Sequence, residues 1–73
     1  MDKKEFQKAV GRRIKAIRLN KEIPQQRLAS ECDFEKGNMA RIEGGGTNMT
    51  IWTLYKIATA LEVEPQELLS NIE

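Results

Sequence analysis

Apolar residues along this chain recur at helical spacing, and no run shows the strict alternation of a half-buried strand. Phe6, Val10, Ile14 and Ile17 follow at intervals of four, four and three, which predicts a first helix over about Lys3 to Leu19 with one inward stripe. Lys4, Lys8, Arg12 and Lys15 lie on its opposite side. Pro24 suits the opening position of a second short helix, Pro24 through Glu31, with Leu28 and Ala29 inward. Asp33, which tolerates turn backbone, breaks that helix, and Phe34 plugs the turn. A third helix is expected from Glu35 to Glu43 with Met39 and Ile42 inward, stopped by Gly44 to Gly46. Thr50 is a good N-cap for a fourth carrying Ile51, Leu54, Ile57, Ala58 and Leu61. Pro65 opens a fifth with Leu68, Leu69 and Ile72.

Seventy-three residues make one all-α domain, 1–73, with a core close to the minimum that folds without a disulfide, a metal or a partner subunit. The single cysteine, Cys32, reads as a small buried hydrophobe that has no partner for an internal disulfide. With no histidine in the chain there is no zinc-ligand set, so neither metal nor cofactor is expected. No apolar run approaches the roughly 20 residues that span a bilayer, and Met1 to Val10 is charged rather than signal-like. A cytoplasmic, non-membrane protein is expected. A bundle of this size with no activated nucleophile also argues against an enzyme.

Net charge is only +1, but the total conceals an asymmetry. Residues 1–27 hold nine Lys/Arg against Asp2, Glu5 and Glu22, a balance of +6; the remainder holds three against eight acidic residues, a balance of −5. One end can therefore face phosphates while the other stays acidic, although a solvated helix surface would carry the same pattern.

Gly37 raises a sharper question, because glycine inside a helix costs about 1 kcal/mol relative to alanine. On a helix whose inner face is set by Met39 and Ile42, the residues Lys36, Gly37, Ala40 and Arg41 point outward. Gly37 then either thins the helix where it meets a groove or is a neutral surface residue in a frayed first turn. A helix fits the DNA major groove, whose base edges present acceptors to lysine and arginine.

Two short helices joined at Cys32-Asp33-Phe34, the second with an exposed polar start, have the spacing of a helix-turn-helix. Here the sequence resembles the phage lambda repressor and Cro-like domains, the XRE family. The stretches that carry the likeness are RIKAIRLNKEIPQQRLA, FEKGNMARIEGG and NMTIWTLYKIATALEVEPQELL, so it extends from about Phe6 to Leu69. The resemblance implies a five-helix lambda-repressor-like bundle and a sequence-specific, DNA-binding transcriptional regulator. Its recognition helix, residues 35–43, would enter the major groove, with Lys36, Gly37, Asn38 and Arg41 at base-reading positions. Gln25, Arg18 and the loop Gly44, Gly45, Gly46, Thr47 and Asn48 match positions that hold phosphates. Arg18 and Glu43 match a structural ion pair that locks the recognition helix to helix one. The chain departs from the family at Glu35, which replaces the usual capping hydroxyl, at Asp33, which replaces a turn glycine, and at Pro24.

The resemblance implies duplex DNA as partner and a homodimer on a palindromic operator. Trp52, Tyr55, Leu69 and Ile72 are the candidate dimer surface, although burial of Trp52 and Tyr55 under the fifth helix or the N-terminal arm would suit the pattern equally. The alternative is an antitoxin or other interaction module of the same fold, whose acidic C-terminal half grips a toxin. A lone domain ending at Glu73 is expected to carry no separate ligand-binding module.

Overall fold

A computed structural model describes residues 1–72, which form four α-helices and one short 3-10 helix. These are α1 Lys3–Asn20, α2 Gln25–Glu31, α3 Asn38–Glu43, α4 Ile51–Leu61 and the 3-10 helix Pro65–Leu69; no strand occurs among the described residues. Glu73, the last residue of the expected 1–73 domain, lies outside them. A capping box starts α1: the Glu5 amide donates to Asp2 Oδ1 at 2.8 Å, and the Asp2 amide donates to Glu5 Oε1 at 3.0 Å. Thr50 caps α4, its Oγ1 accepting from the Thr53 amide at 3.1 Å.

All four α-helices stop in the same way. A residue at or just after the C-cap turns left-handed, at Glu22 (φ 58), Asp33 (φ 57), Gly45 (φ 81) and Glu62 (φ 61). The next amide then reaches back five residues to close the last turn: Ile23 to Arg18 O, Phe34 to Ala29 O, Gly46 to Arg41 O and Val63 to Ala58 O, all at 2.9–3.1 Å. This is the Schellman motif, in which carbonyls orphaned at the helix end gain donors. Glycine adopts the required backbone freely, whereas other residues bear about 1–2 kcal/mol of strain in it. Three of the four stops are acidic residues that carry this strain.

Ile14, Leu28, Met39, Ile42, Ile57, Leu61 and Leu68 are fully buried and join the helices around one hydrophobic core. Three residues of the predicted stripes fall outside it, since Phe6 and Leu69 are each 43% exposed and Ile51 is 86% exposed. Phe6 and Ile51 lie in the opening turns of their helices and border one shallow groove together with Leu54 and Leu69. The predicted fifth α-helix is also corrected to the five-residue 3-10 helix. Glu64 and Glu67 close its first turn by a capping box, but Ser70 is extended and Asn71 left-handed, so no α-helical turn can follow.

Close backbone approach joins α1 to α3. A Cβ on Gly11 of α1 would lie 2.5 Å from Ile42 O and 2.7 Å from Glu43 O, so α1 backbone touches the end of α3 where a side chain would keep them apart. Lower on the same seam, a Cβ on Gly45 would lie 2.6 Å from Lys8 Cα.

Candidate nucleic-acid interface

The segment between α2 and α3 is longer than the sequence pattern suggests. Glu35 to Asn38 form a turn closed by the Asn38 amide donating to Glu35 O at 3.1 Å, and α3 begins only at Asn38. Gly37, the third residue of that turn, has φ 84 and ψ −12, the left-handed geometry a type II turn demands at this position. The expectation that Gly37 thins the middle of a helix spanning 35–43 is therefore corrected. A Cβ at Gly37 would meet nothing within 4 Å, so backbone conformation, not space, calls for glycine there.

Lys36 is thus displayed by the turn, while Asn38 and Arg41 stand one turn apart on α3. Lys36 and Arg41 are exposed and Asn38 is half-buried. A shallow groove between the outer edges of α2 and α3 brings Gln25 and Gln26 beside Lys36 and Ala40. Gln26 does not stand out in the sequence; its place next to Gln25 in the first turn of α2 is the one signal that could have found it. Glu35 is exposed on the rim of the same groove and sets a negative charge beside Lys36.

Behind this surface lies a buried polar network. Arg18 Nε donates to Glu43 Oε2 at 2.6 Å, Arg18 Nη2 donates to Glu43 Oε1 at 3.1 Å, and Arg18 Nη1 donates to Ile23 O at 2.9 Å. Arg18 is 6% exposed and Glu43 7%. Gln25 Nε2 completes the set, donating to Glu43 Oε1 at 3.0 Å. One carboxylate therefore ties α1, α2 and the end of α3 together, and no described buried side-chain nitrogen or oxygen lacks a partner. The pair fixes geometry; with every nitrogen of its guanidinium engaged inside the protein, Arg18 is poorly placed to meet a phosphate.

The glycine loop also differs from its expected use. The amides of Gly44, Gly45 and Gly46 donate to Ala40 O, Ile42 O and Arg41 O, so all three are engaged in ending α3. Among the described residues, the backbone amides of Thr47 and Asn48 donate to no backbone carbonyl, and Asn48 is exposed. Gln7 Nε2 donates to Gly45 O at 3.2 Å and anchors the loop to α1. Cys32 lies in the core with its Sγ 3.7 Å from Lys56 O, and burial is the main influence pushing its thiol above the ordinary pKa.

Among the candidate interaction residues, Trp52 and Tyr55 are 64% and 48% exposed, with their rings stacked at 5.4 Å and 22°. Burial under the 3-10 helix is excluded for both. Leu69 is also exposed, whereas Ile72 is half-buried and packs on the core beside Arg12 and Arg13. Leu69 borders the groove with Phe6 and Ile51, while Tyr55 borders a second one with Glu31 and Asp33.

Residues 13–73 match the sequence model of the Cro/C1-type helix-turn-helix DNA-binding domain. The chain belongs to this family. Among curated proteins, the Cro/C1-type chain is 38% identical over 60 residues to the control protein C.BamHI of Bacillus amyloliquefaciens, covering 81% of this chain and 74% of that protein. Among solved structures, it is similar to the restriction-modification controller C.AhdI of Aeromonas hydrophila, with 31% identity and a TM-score of 0.80 over 84% of this chain and 92% of that one. It is likewise similar to C.Esp1396I bound to a 19 base pair DNA duplex, with 30% identity and a TM-score of 0.81 over 92% and 89% of the two chains. The Cro/C1-type fold places the groove between α2 and α3 at the helix-turn-helix. Among the described residues, no helix is long and apolar enough to cross a membrane.

Proposed function

We propose that this Cro/C1-type regulator acts as the controller of a restriction-modification system, binding an operator through the turn and helix spanning 35–43. The observation that carries the reading is a six-residue recognition helix, α3, which is braced from behind by Arg18, Glu43 and Gln25 and presents an uncommitted polar edge. Lys36, Asn38 and Arg41 read base edges, Arg41 as the fork suited to guanine O6 and N7. Gly37 holds the turn that aims Lys36. The second amide hydrogen of Gln25 is free for a phosphate once Glu43 has taken the first, and Thr47 with Asn48 holds the backbone on the other side. Similarity to two restriction-modification controllers, one of them solved on duplex DNA, supports the class.

Three side chains on one turn and one short helix distinguish only a few base pairs, so a homodimer on a palindromic site is the natural complement. The exposed Ile51, Trp52 and Tyr55 on α4 supply an apolar face for the second copy. We assign no catalysis and a cytoplasmic location to the chain; an antitoxin role would use the same α4 face for a different protein. The test is selection of bound sequences from a randomised duplex pool, followed by affinity for the winner and for a scrambled control. A palindromic winner bound about 10³-fold or more above the control establishes the reading. Equal, weak binding of both duplexes removes it in favour of a protein partner.

A further inference from the structure

The basic side of α1 takes no part in the proposed base reading. Taking about 100° per residue and Gly11 as origin, Val10, Ile14 and Ile17 point to the core at roughly −60° to −120°. Gly11 and Arg18 mark the seam with α3 near 0°. Immediately beyond the seam, on the side away from the core, come Lys4, Lys15, Lys8 and Arg12, at roughly +20° to +100°. All four are exposed, and the first acidic residue met on that side is Glu5 at roughly +120°. Among the described residues none of the four is in an ion pair, the salt bridges there being Arg18–Glu43 and Arg27–Glu31.

Two backbone contacts fix where this row stands. Gly11 abuts Ile42 O and Glu43 O at the end of α3, and Lys8 abuts Gly45 in the loop that leads to Thr47 and Asn48. The row therefore passes the C-terminal end of α3 and continues the proposed phosphate-holding loop. From Lys4 to Lys15 it covers roughly 16 Å at 1.5 Å per residue, the axial length of about five phosphates on one strand.

We propose that Lys4, Lys8, Arg12 and Lys15 form a phosphate rail that follows one strand of duplex DNA beside the groove occupied by α3. The proposal deepens the DNA-binding reading and rests on it. Four unneutralised cations held on one rigid helix face repel each other unless an anion array meets them, and a duplex backbone supplies charges at matching intervals. The rail also explains how a chain of net charge +1 steers itself to DNA: the attraction is local to this face.

Counterion release makes the test quantitative, because each phosphate contact removed flattens the slope of log affinity against log salt by about 0.9. The double variant Lys8→Gln/Lys15→Gln is compared with wild type and with Lys3→Gln, which removes a charge from the same helix outside the rail. Each is titrated with the selected operator and with a scrambled duplex of equal length, after circular dichroism and a thermal melt establish folding. The expected result is a slope reduced by about 1.8 on both duplexes in the double variant, with Lys3→Gln unchanged. Its affinity deficit then shrinks about tenfold between about 50 and about 200 mM salt, and the operator-to-scrambled ratio stays as in wild type. A folded double variant with wild-type slopes overturns the rail while operator selectivity leaves the regulator reading standing. Loss of selectivity in wild type with the slope change retained overturns the operator reading alone. Absence of all DNA binding by wild type overturns both.

Discussion

Gly37 separates two physical accounts of the recognition element, thinness against backbone handedness, and two substitutions at this site decide between them. Alanine adds a Cβ that would touch nothing within 4 Å, so no steric collision enters. It would still have to occupy φ 84, ψ −12, at a cost of about 1–2 kcal/mol for an L-residue. Reduced entropy of the unfolded chain returns about 0.4–1 kcal/mol, leaving Gly37→Ala less stable by roughly 0.5–1.5 kcal/mol. In a domain of this size that lowers Tm by roughly 2–12 °C. Asparagine is larger than alanine but visits the left-handed region more readily, so Gly37→Asn loses less. Gly45 provides an internal comparison, since its φ of 81 carries the same strain and its added Cβ would also lie 2.6 Å from Lys8 Cα. Gly45→Ala must therefore be the most damaging of the three. Urea unfolding of the free protein ranks them without reference to DNA. An alanine variant as stable as wild type, or an asparagine variant less stable than the alanine one, would refute the conformational argument and restore bulk as the deciding quantity.

The same left-handed strain at the end of α4 runs in the opposite direction when glycine is introduced. Glu62→Gly relieves φ 61 and removes a negative charge from a helix C-terminus, so the urea midpoint should rise by the equivalent of about 0.5–1 kcal/mol at an unchanged m-value. The Arg18–Glu43 pair should behave as a unit. Each single change, Arg18→Met or Glu43→Leu, leaves a buried charge or its partners unmatched and costs about 3–5 kcal/mol, whereas the double variant is expected to recover most of that loss. Additive single and double losses in a thermal denaturation cycle would contradict the coupling.

The helices were legible because their apolar spacing and their stops are both written locally. Leu28, Met39, Ile42, Ile57 and Leu61 face the core as their spacing requires, and Asp33 sits in the turn backbone that its side chain tolerates. Periodicity gives a face, however, and not whether anything covers it, which is why Phe6 and Ile51 join their stripes and yet remain exposed at the helix starts. The misplaced start of α3 has a different cause. Lys36-Gly37 suits both a weak helix start and the centre of a type II turn, and the turn won because glycine favours its left-handed third position. Three successive glycines likewise read as a loop with free amides. Once the helix ends at Glu43, the Schellman closure claims those amides, which is why the proposed phosphate contacts of the loop are assigned to Thr47 and Asn48.

The recognition helix itself is too short to define its own direction. Six residues are well below the roughly 12–15 at which an isolated helix becomes even marginal in water, so α3 exists because neighbouring elements hold it. One of those neighbours, α1, meets it along a single line: Lys8 under Gly45, Gly11 against Ile42 O and Glu43 O, and Arg18 around the Glu43 carboxylate. Two of the contacts are backbone to backbone and the third is a bidentate pair, all of them short and directional rather than adaptable. Apolar packing by Met39 and Ile42 supplies cohesion, but interchangeable hydrophobic contacts would let a helix this short rotate or slide. Base reading tolerates little of either, because a bidentate hydrogen bond to a base edge fixes both distance and plane. A small domain therefore accepts a buried ion pair and a glycine in the middle of its longest helix, each costly by itself, because together they transfer the rigidity of eighteen residues of α1 to six residues of α3.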